Sequence, residues 1–294
     1  QVRDSVNCTI GCVNAAVYYI VKCLVDPGLP PNTGSFRPIK IHAPAGTVIN
    51  ATAPASICNS TIITAPKVVD VLLGALVQVM PEQAQAASYG VTSLFNIGGK
   101  HPRRGGLYNY VETYAGGQGA SHHQDGMDAV QCHMTNTRNA PVEVIESTYP
   151  LFVKGYGLVP DTEGAGRFRG GLGMYRAMEI ESPETTLTLS SDRAKLPPWG
   201  VFDGKPGGTS RCLLASPDGR TETLAYSKTT RSVAQGDTVT IITPGGGGWG
   251  DPLERDPASV LWDLQEELIS AERARSVYGV VIEAGPSGQP QVNL

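Results

Sequence analysis

Residues 243–252 read Thr-Pro-Gly-Gly-Gly-Gly-Trp-Gly-Asp-Pro. Glycine loses more backbone freedom on folding than any other residue, so four in a row are ordered only where neighbours clamp them. A flexible linker is the alternative, but linkers seldom end in Trp-Gly-Asp-Pro, and Trp249 offers an anchor. The tract is the extreme of a general trend. The chain holds 35 glycines and 22 prolines in 294 residues, well above the ~12 % of average usage. The excess has no collagen period, so it implies many turns and much irregular backbone. Hydrophobic residues at 40 % against 17 % charged allow a packed core, in one large domain or two ordinary ones. A net charge of −4 supplies no basic surface for nucleic acid or an anionic membrane. No apolar run approaches the ~18 residues of a bilayer-spanning helix.

Periodicity divides the rest. Val6, Ile10, Val13, Val17, Val21 and Leu24 recur at steps of three and four, which predicts a helix over 5–24, stopped by Asp26-Pro27-Gly28. Pro30–Gly34 is a turn cluster, and Ile39–His42 alternates like a short strand. Val68, Val69, Leu72, Leu73, Leu76 and Val79 predict a second helix over 66–80, with Pro66 at its first position. From residue 107 the period falls to two. Strands are expected at 107–114, 142–149, 174–181, 186–190, 211–215 and 238–243, antiparallel because only Gly/Pro turns join them. Asp256-Pro257 starts a helix through Leu268, Ser270 caps another that ends at Gly279, and 280–282 reads as a last strand before a loose tail, 285–294. The fold class is therefore mixed α+β. Helices fill a segment 1–106, a mainly antiparallel β region with glycine-rich loops spans 107–252, and a helical segment and tail span 253–294. The six cysteines have no CxxC or zinc-knuckle spacing and fit buried, reduced thiols.

Three segments carry groups capable of chemistry. Ala115–Gly126 joins glycines, whose bare N–H groups can hold an anion, to His122, His123 and Asp125. These three are the candidate acid/base groups, and Gly117 and Gly119 are candidate anion or substrate binders. Adjacent histidines on a regular strand would face opposite ways, so the pair acts together only on an irregular loop. Otherwise the segment is a polar surface loop. Glu143 and Glu146, three apart on an expected strand, face opposite sides and suit salt bridges better than a paired-carboxylate site. Gly164–Gly173 looks like a nucleotide loop but has neither a GxGxxG nor a P-loop pattern. Its Arg167 and Arg169 could hold a carboxylate or phosphate, or tie down a tight loop.

The order of these pieces resembles the hydantoinase B family, which includes subunits of ATP-dependent N-methylhydantoin and 5-oxoproline hydrolases. The matching stretches are PPNTGSFRP at 30–38, TNTRNAPVEVIE at 135–146, GAGRFRGGLG at 164–173, Ser191-Asp192-Arg193, TPGGGGWGDP at 243–252 and RARSVYGVV at 273–281. The resemblance implies the C-terminal portion of a longer subunit, either a fragment or one product of a split chain. It implies a hydantoinase-A-like partner that holds ATP and Mg²⁺ and phosphorylates the substrate oxygen, after which this subunit helps water open a cyclic amide. The metal ligands stay unknown in this chain: a divalent zinc or manganese ion is expected mainly on the absent N-terminal portion of the same subunit type. The expected assembly is a cytoplasmic hetero-oligomer acting on a small molecule. A ketone (acetone or acetophenone) carboxylase subunit and a non-catalytic structural subunit are the other readings.

Overall fold

The computed structural model describes residues 1–225, 228–284 and 290–293. Two antiparallel sheets packed face to face form its β region. One has the order β2-β1-β5-β8, from Leu107–Tyr114, Ser93–Lys100, Thr185–Ser190 and Lys228–Val233. The other has the order β3-β4-β9-β6-β7, from Leu151–Leu158, Met174–Ile180, Thr238–Ile242, Arg211–Ala215 and Thr221–Leu224. Alternate residues point inward, so Phe95, Ile97 and Leu187 of the first sheet meet Met178, Cys212 and Ile241 of the second.

A second core lies outside the sandwich. Helix α1, Ile10–Val25, is capped by Thr9, and helix α3, Ala65–Leu76, has Pro66 in its first turn. Ala16, Ile20 and Leu24 of α1 pack with Val69 and Leu73 of α3, as their helical spacing requires. Helix α1 starts five residues later than the expected residue 5, because Thr9 takes the cap. A π-helical turn, Ser60–Thr64, leads into α3. A short helix α2, Thr33–Phe36, forms inside the 30–34 turn cluster, with Asn32 and Ser35 as a capping box.

Several expectations are corrected. Residues 39–42 form no strand. Residues 142–148 are helix α4, not a strand: Pro141 starts it and Ile145 is its buried anchor. Glu143 and Glu146 therefore lie one helical turn apart, and Glu146 accepts a hydrogen bond from Val153 N at 3.0 Å. Strand pairing begins at Ser93, ahead of residue 107. The last helices are α5, Pro257–Gln265, capped by Asp256, and α6, Ala271–Ser276, capped by Ser270. Gly279 takes a left-handed φ of +69° after α6. Strand β10, Val281–Ala284, pairs with β11, Pro290–Asn293, inside the tail expected to be loose; residues 285–289 and 294 of that tail lie outside the described residues. All six cysteines are free, with Cys8, Cys132 and Cys212 buried.

The glycine-rich loops form the joint between these parts. Segments 117–120, 164–173, 200–208 and 244–249 run side by side and bond backbone to backbone. Gly117 N donates to Pro244 O at 2.9 Å, and three residues on Ala120 N donates to Gly247 O at 2.9 Å. Gly246 N donates to Gly171 O at 2.8 Å, Gly164 N to Gly246 O at 2.7 Å, and Gly248 N to Lys205 O at 3.0 Å. The tract is held by contact rather than by unusual dihedrals: within 245–250 only Gly250 has positive φ, +74°. A methyl group on Gly246 would overlap the Gln118 carbonyl, and one on Gly247 the Trp199 carbonyl. Gly246→Ala and Gly247→Ala are therefore expected to abolish soluble, cooperatively unfolding protein. Gly11→Ala, on exposed helix with nothing within 4 Å of the added carbon, should raise stability by up to about 1 kcal/mol. Thermal unfolding of the three variants checks both expectations.

Candidate functional site

The packing of α1 on α3 leaves one charged side chain on the inner face of α3. Asp70 follows Val69 in the apolar stripe and is buried. Its Oδ2 accepts from Arg193 Nη2, and its Oδ1 lies 3.3 Å from His133 Nε2, within ion-pairing distance but not aligned as a hydrogen bond. All three side chains are below 8 % exposed. Arg193 also reaches the carbonyls of Tyr89 and Pro197 at 3.4 Å. Gly90, at φ +59°, makes room for this: a methyl group there would overlap Asp70 Oδ2 and lie 2.8 Å from Arg193 Nη2. A buried carboxylate beside a guanidinium is a compensated charge, and the His133 ring lies within ion-pairing reach of it.

The chain around His133 is locally strained. Ala129, His133 and Met134 take φ of +46°, +49° and +50°, and Arg193 takes +67°. Side chains with a Cβ rarely adopt this region, and such residues cluster where structure serves function. The segment is pinned by a bridge between Gly116 and Val130 and by the Tyr89 hydroxyl, which donates to Gln131 Oε1 at 2.8 Å.

His133 opens on a cavity of about 570 Å³ between α1, the end of α3 and residues 127–136. Tyr19 stands edge-on to His133, with ring centroids 6.2 Å apart. Burial pushes the neighbouring Cys132 thiol up to about 12, so it stays protonated and is no nucleophile at neutral pH. Burial, with the charge of Arg193 beside it, draws the Lys67 amine down to about 8, against the pull of Asp192 and Asp70.

The candidates expected from the motifs lie elsewhere. His122 and His123 are exposed and face each other, Nδ1 to Nδ1 at 3.2 Å, with His122 6.4 Å from the Trp249 ring. Neither lines the His133 cavity. Asp125 turns away from them: both its oxygens accept from Arg255 at 2.8 Å, and Oδ1 also accepts from Arg169 N. Arg169 is buried and committed to Asp128 and Asp263, while Arg255 shares Asp263. Gly117 N and Gly119 N donate to Pro244 O and Ser88 Oγ, so their N–H groups are engaged within the chain. Arg167 is exposed and lines a separate cavity of about 340 Å³ with Asp125, Glu254 and Asp256. His133 and Asp70 do not stand out in the local motifs. Their only signals in the sequence are an acid inside an apolar helical stripe and a histidine next to the TNTRNAPVEVIE stretch.

A family model described as hydantoinase B/oxoprolinase matches residues 1–252. A Pseudomonas sp. (strain NS671) protein named as the B component of a D-/L-hydantoinase is 36 % identical over 281 residues, 93 % of this chain and 46 % of that protein. The crystal structure of an ATP-dependent caprolactamase from Pseudomonas jessenii superposes with a TM-score of 0.86 at 30 % identity, over 98 % of this chain and 51 % of that one. A nucleotide-free acetone carboxylase structure gives the same TM-score at 19 % identity, over 98 % and 43 %, which is a likeness of fold alone. The chain thus spans about half the length of these proteins. No helix among the described residues is long and apolar enough to cross a membrane.

Lys67 gives a pH test of this geometry. Its folded pKa lies below the unfolded value near 10.5, so the unfolded chain binds more protons between about pH 8 and 10.5 and stability rises across that window. The burial cost is present in full below pH 8. Lys67→Met should be more stable than wild type at pH 7, and the gap should close by on the order of 1–3 kcal/mol by pH 10.5. Urea unfolding at the two pH values reads it.

Proposed function

The chain belongs to the hydantoinase B/oxoprolinase family, and from that premise we propose that it is part of the B-type subunit of an ATP-dependent cyclic amide hydrolase. The observation that carries the reading is the buried Arg193–Asp70–His133 chain opening on a cavity. An unactivated amide carbonyl is a poor electrophile. A hydantoinase-A-like partner holding ATP and Mg²⁺ would convert its oxygen to a phosphate ester, which makes a leaving group. This chain would then supply the proton transfer. With Nε2 turned to Asp70, His133 Nδ1 would take a proton from the attacking water, and Asp70 would stabilise the imidazolium that forms. Arg193 pairs with Asp70, so the buried carboxylate and guanidinium compensate each other. The sequence has no P-loop or Rossmann fingerprint, which fits ATP lying on the partner. Among the described residues no three His, Cys, Asp or Glu side chains converge to hold a metal ion, and a divalent zinc or manganese ion would be held mainly by the remaining portion of the same subunit type. The remaining portion of the same subunit type completes the assembly as a hetero-oligomer.

The test is the complex co-purified from the native source, with ring opening and ATP consumption both followed. His133→Gln should lower kcat by about 10²–10⁴ with the assembly intact. Asp70→Asn should lower it too and also cost about 3–5 kcal/mol of stability, because Arg193 is left buried without its partner. A His133→Gln rate within a few-fold of wild type would overturn the assignment. A large loss in His122→Ala or His123→Ala instead would move the chemistry to the exposed pair.

A further inference from the structure

His122 and His123 sit at the tip of a loop whose two stems are fixed in the glycine joint. Ala120 N donates to Gly247 O at 2.9 Å, Gly126 N donates to Arg169 O at 2.8 Å, and Ser121 bridges Gln85. Between the stems Ser121 N donates to Gln124 O at 3.1 Å, so a backbone bond closes across the two histidines. Adjacent side chains on a strand face opposite ways. On this tip they do not. The ring centroids lie 4.6 Å apart, with Nδ1 facing Nδ1 at 3.2 Å. Ser121 Oγ stands 3.4 Å from His123 Nδ1. The Trp249 ring is edge-on to His122 at 6.4 Å, and Phe202 packs on Trp249 at 4.8 Å, so an aromatic pair backs the loop.

Two imidazole nitrogens this close need something between them. A neutral ring carries one N–H and one lone pair, so a proton on one Nδ1 can serve both, whereas two facing lone pairs repel. A metal ion serves both lone pairs at once. Zinc binds histidine nitrogen at about 2.0–2.1 Å. Two such bonds to atoms 3.2 Å apart enclose an angle of about 100°, close to tetrahedral. Imidazole suits zinc, nickel and copper, while magnesium and calcium take oxygen. We propose that His122 and His123 form a site for one divalent ion of the zinc, nickel or copper class, held through both Nδ1 atoms. Ser121 Oγ offers an oxygen beside it, and the exposed side leaves room for water or a donor from a facing molecule. The clamped loop sets the nitrogens at chelating distance before the ion arrives, which spares the cost of ordering them. Asp125 is no ligand, because both its oxygens are held by Arg255. Neither histidine lines the His133 cavity, so the site does not depend on the proton transfer assigned there. This ion is additional to any zinc or manganese on the remaining portion of the subunit type.

The experiment uses the co-purified complex, washed free of metal with a chelator, beside a His122→Gln/His123→Gln double variant. Zn²⁺ binding is measured by calorimetry, and the difference between the two isolates this site from any other. Wild type should bind one more ion per chain. His122→Gln or His123→Gln alone should weaken that ion by at least about tenfold, the least that losing even an outer partner costs a metal site. Cu²⁺ should give an electron paramagnetic resonance difference spectrum split by two ring nitrogens, and by one in either single variant. Equal Zn²⁺ stoichiometry in wild type and double variant overturns the proposal and leaves the 3.2 Å contact as a hydrogen bond between rings. Displacement of the ion by Mg²⁺, or a wild-type copper signal without two nitrogens, overturns it as well. The wild-type copper spectrum decides the matter even if a variant loses the fold of the loop.

Discussion

Backbone meets backbone at the centre of this protein. Where Gly117, Gly171 and Gly246 cross, no side chain separates the strands, and an added Cβ on any of the three would overlap a neighbouring main-chain atom. The segments satisfy one another's N–H and C=O groups, so the polar backbone is buried at no loss of hydrogen bonds. Glycine's entropic cost is offset by this close approach, which brings the helical layer, the β sandwich and the C-terminal helices to one joint. Trp249 closes it from the α1–α3 side: its ring packs in the helical core while its backbone pairs with Phe168.

Charge completes the joint on the other side. Arg169 and Arg255 share Asp263, which is fully buried, and extend to Asp128 and Asp125. Forked guanidinium–carboxylate contacts fix angle as well as distance. They tie the 125–128 loop and the 164–173 loop to α5. Removing one partner would leave a buried charge uncompensated, so the network specifies geometry more than it adds stability. Asp125 belongs to this structural set, which explains why it faces away from the two histidines beside it in sequence.

The same joint delivers the site. Tyr89, which anchors Gln131, hands its own N–H to Gly117. Gly116 bridges Val130, three residues before His133. Displacing the glycine layer would move the histidine and Gln131 together. The strained φ angles from Ala129 to Met134 persist because both ends of the segment are held.

Residues that repeat by local physics were legible from the sequence. The apolar stripes of α1 and α3, the caps at Asp256 and Ser270, and the alternation of β2, β4, β5, β6 and β9 each depend on neighbours within a few positions. So did the inference that the glycine tract is clamped. Strands with weak alternation were not legible: β1 ends in Gly98-Gly99-Lys100, and β3 carries Gly155 and Gly157 with a register shift between Val153 and Gly155. Helix α4 misled for the opposite reason, since its β-branched residues favour strand on local preference. The grouping of Asp70, His133 and Arg193 was the least legible. They lie 63 and 60 residues apart in sequence, and only tertiary packing brings them within ion-pairing distance. Local sequence sets which backbone each segment can adopt. Which ionisable groups share a dielectric is set by packing between distant segments, so the catalytic candidates followed from the fold and not from the motifs.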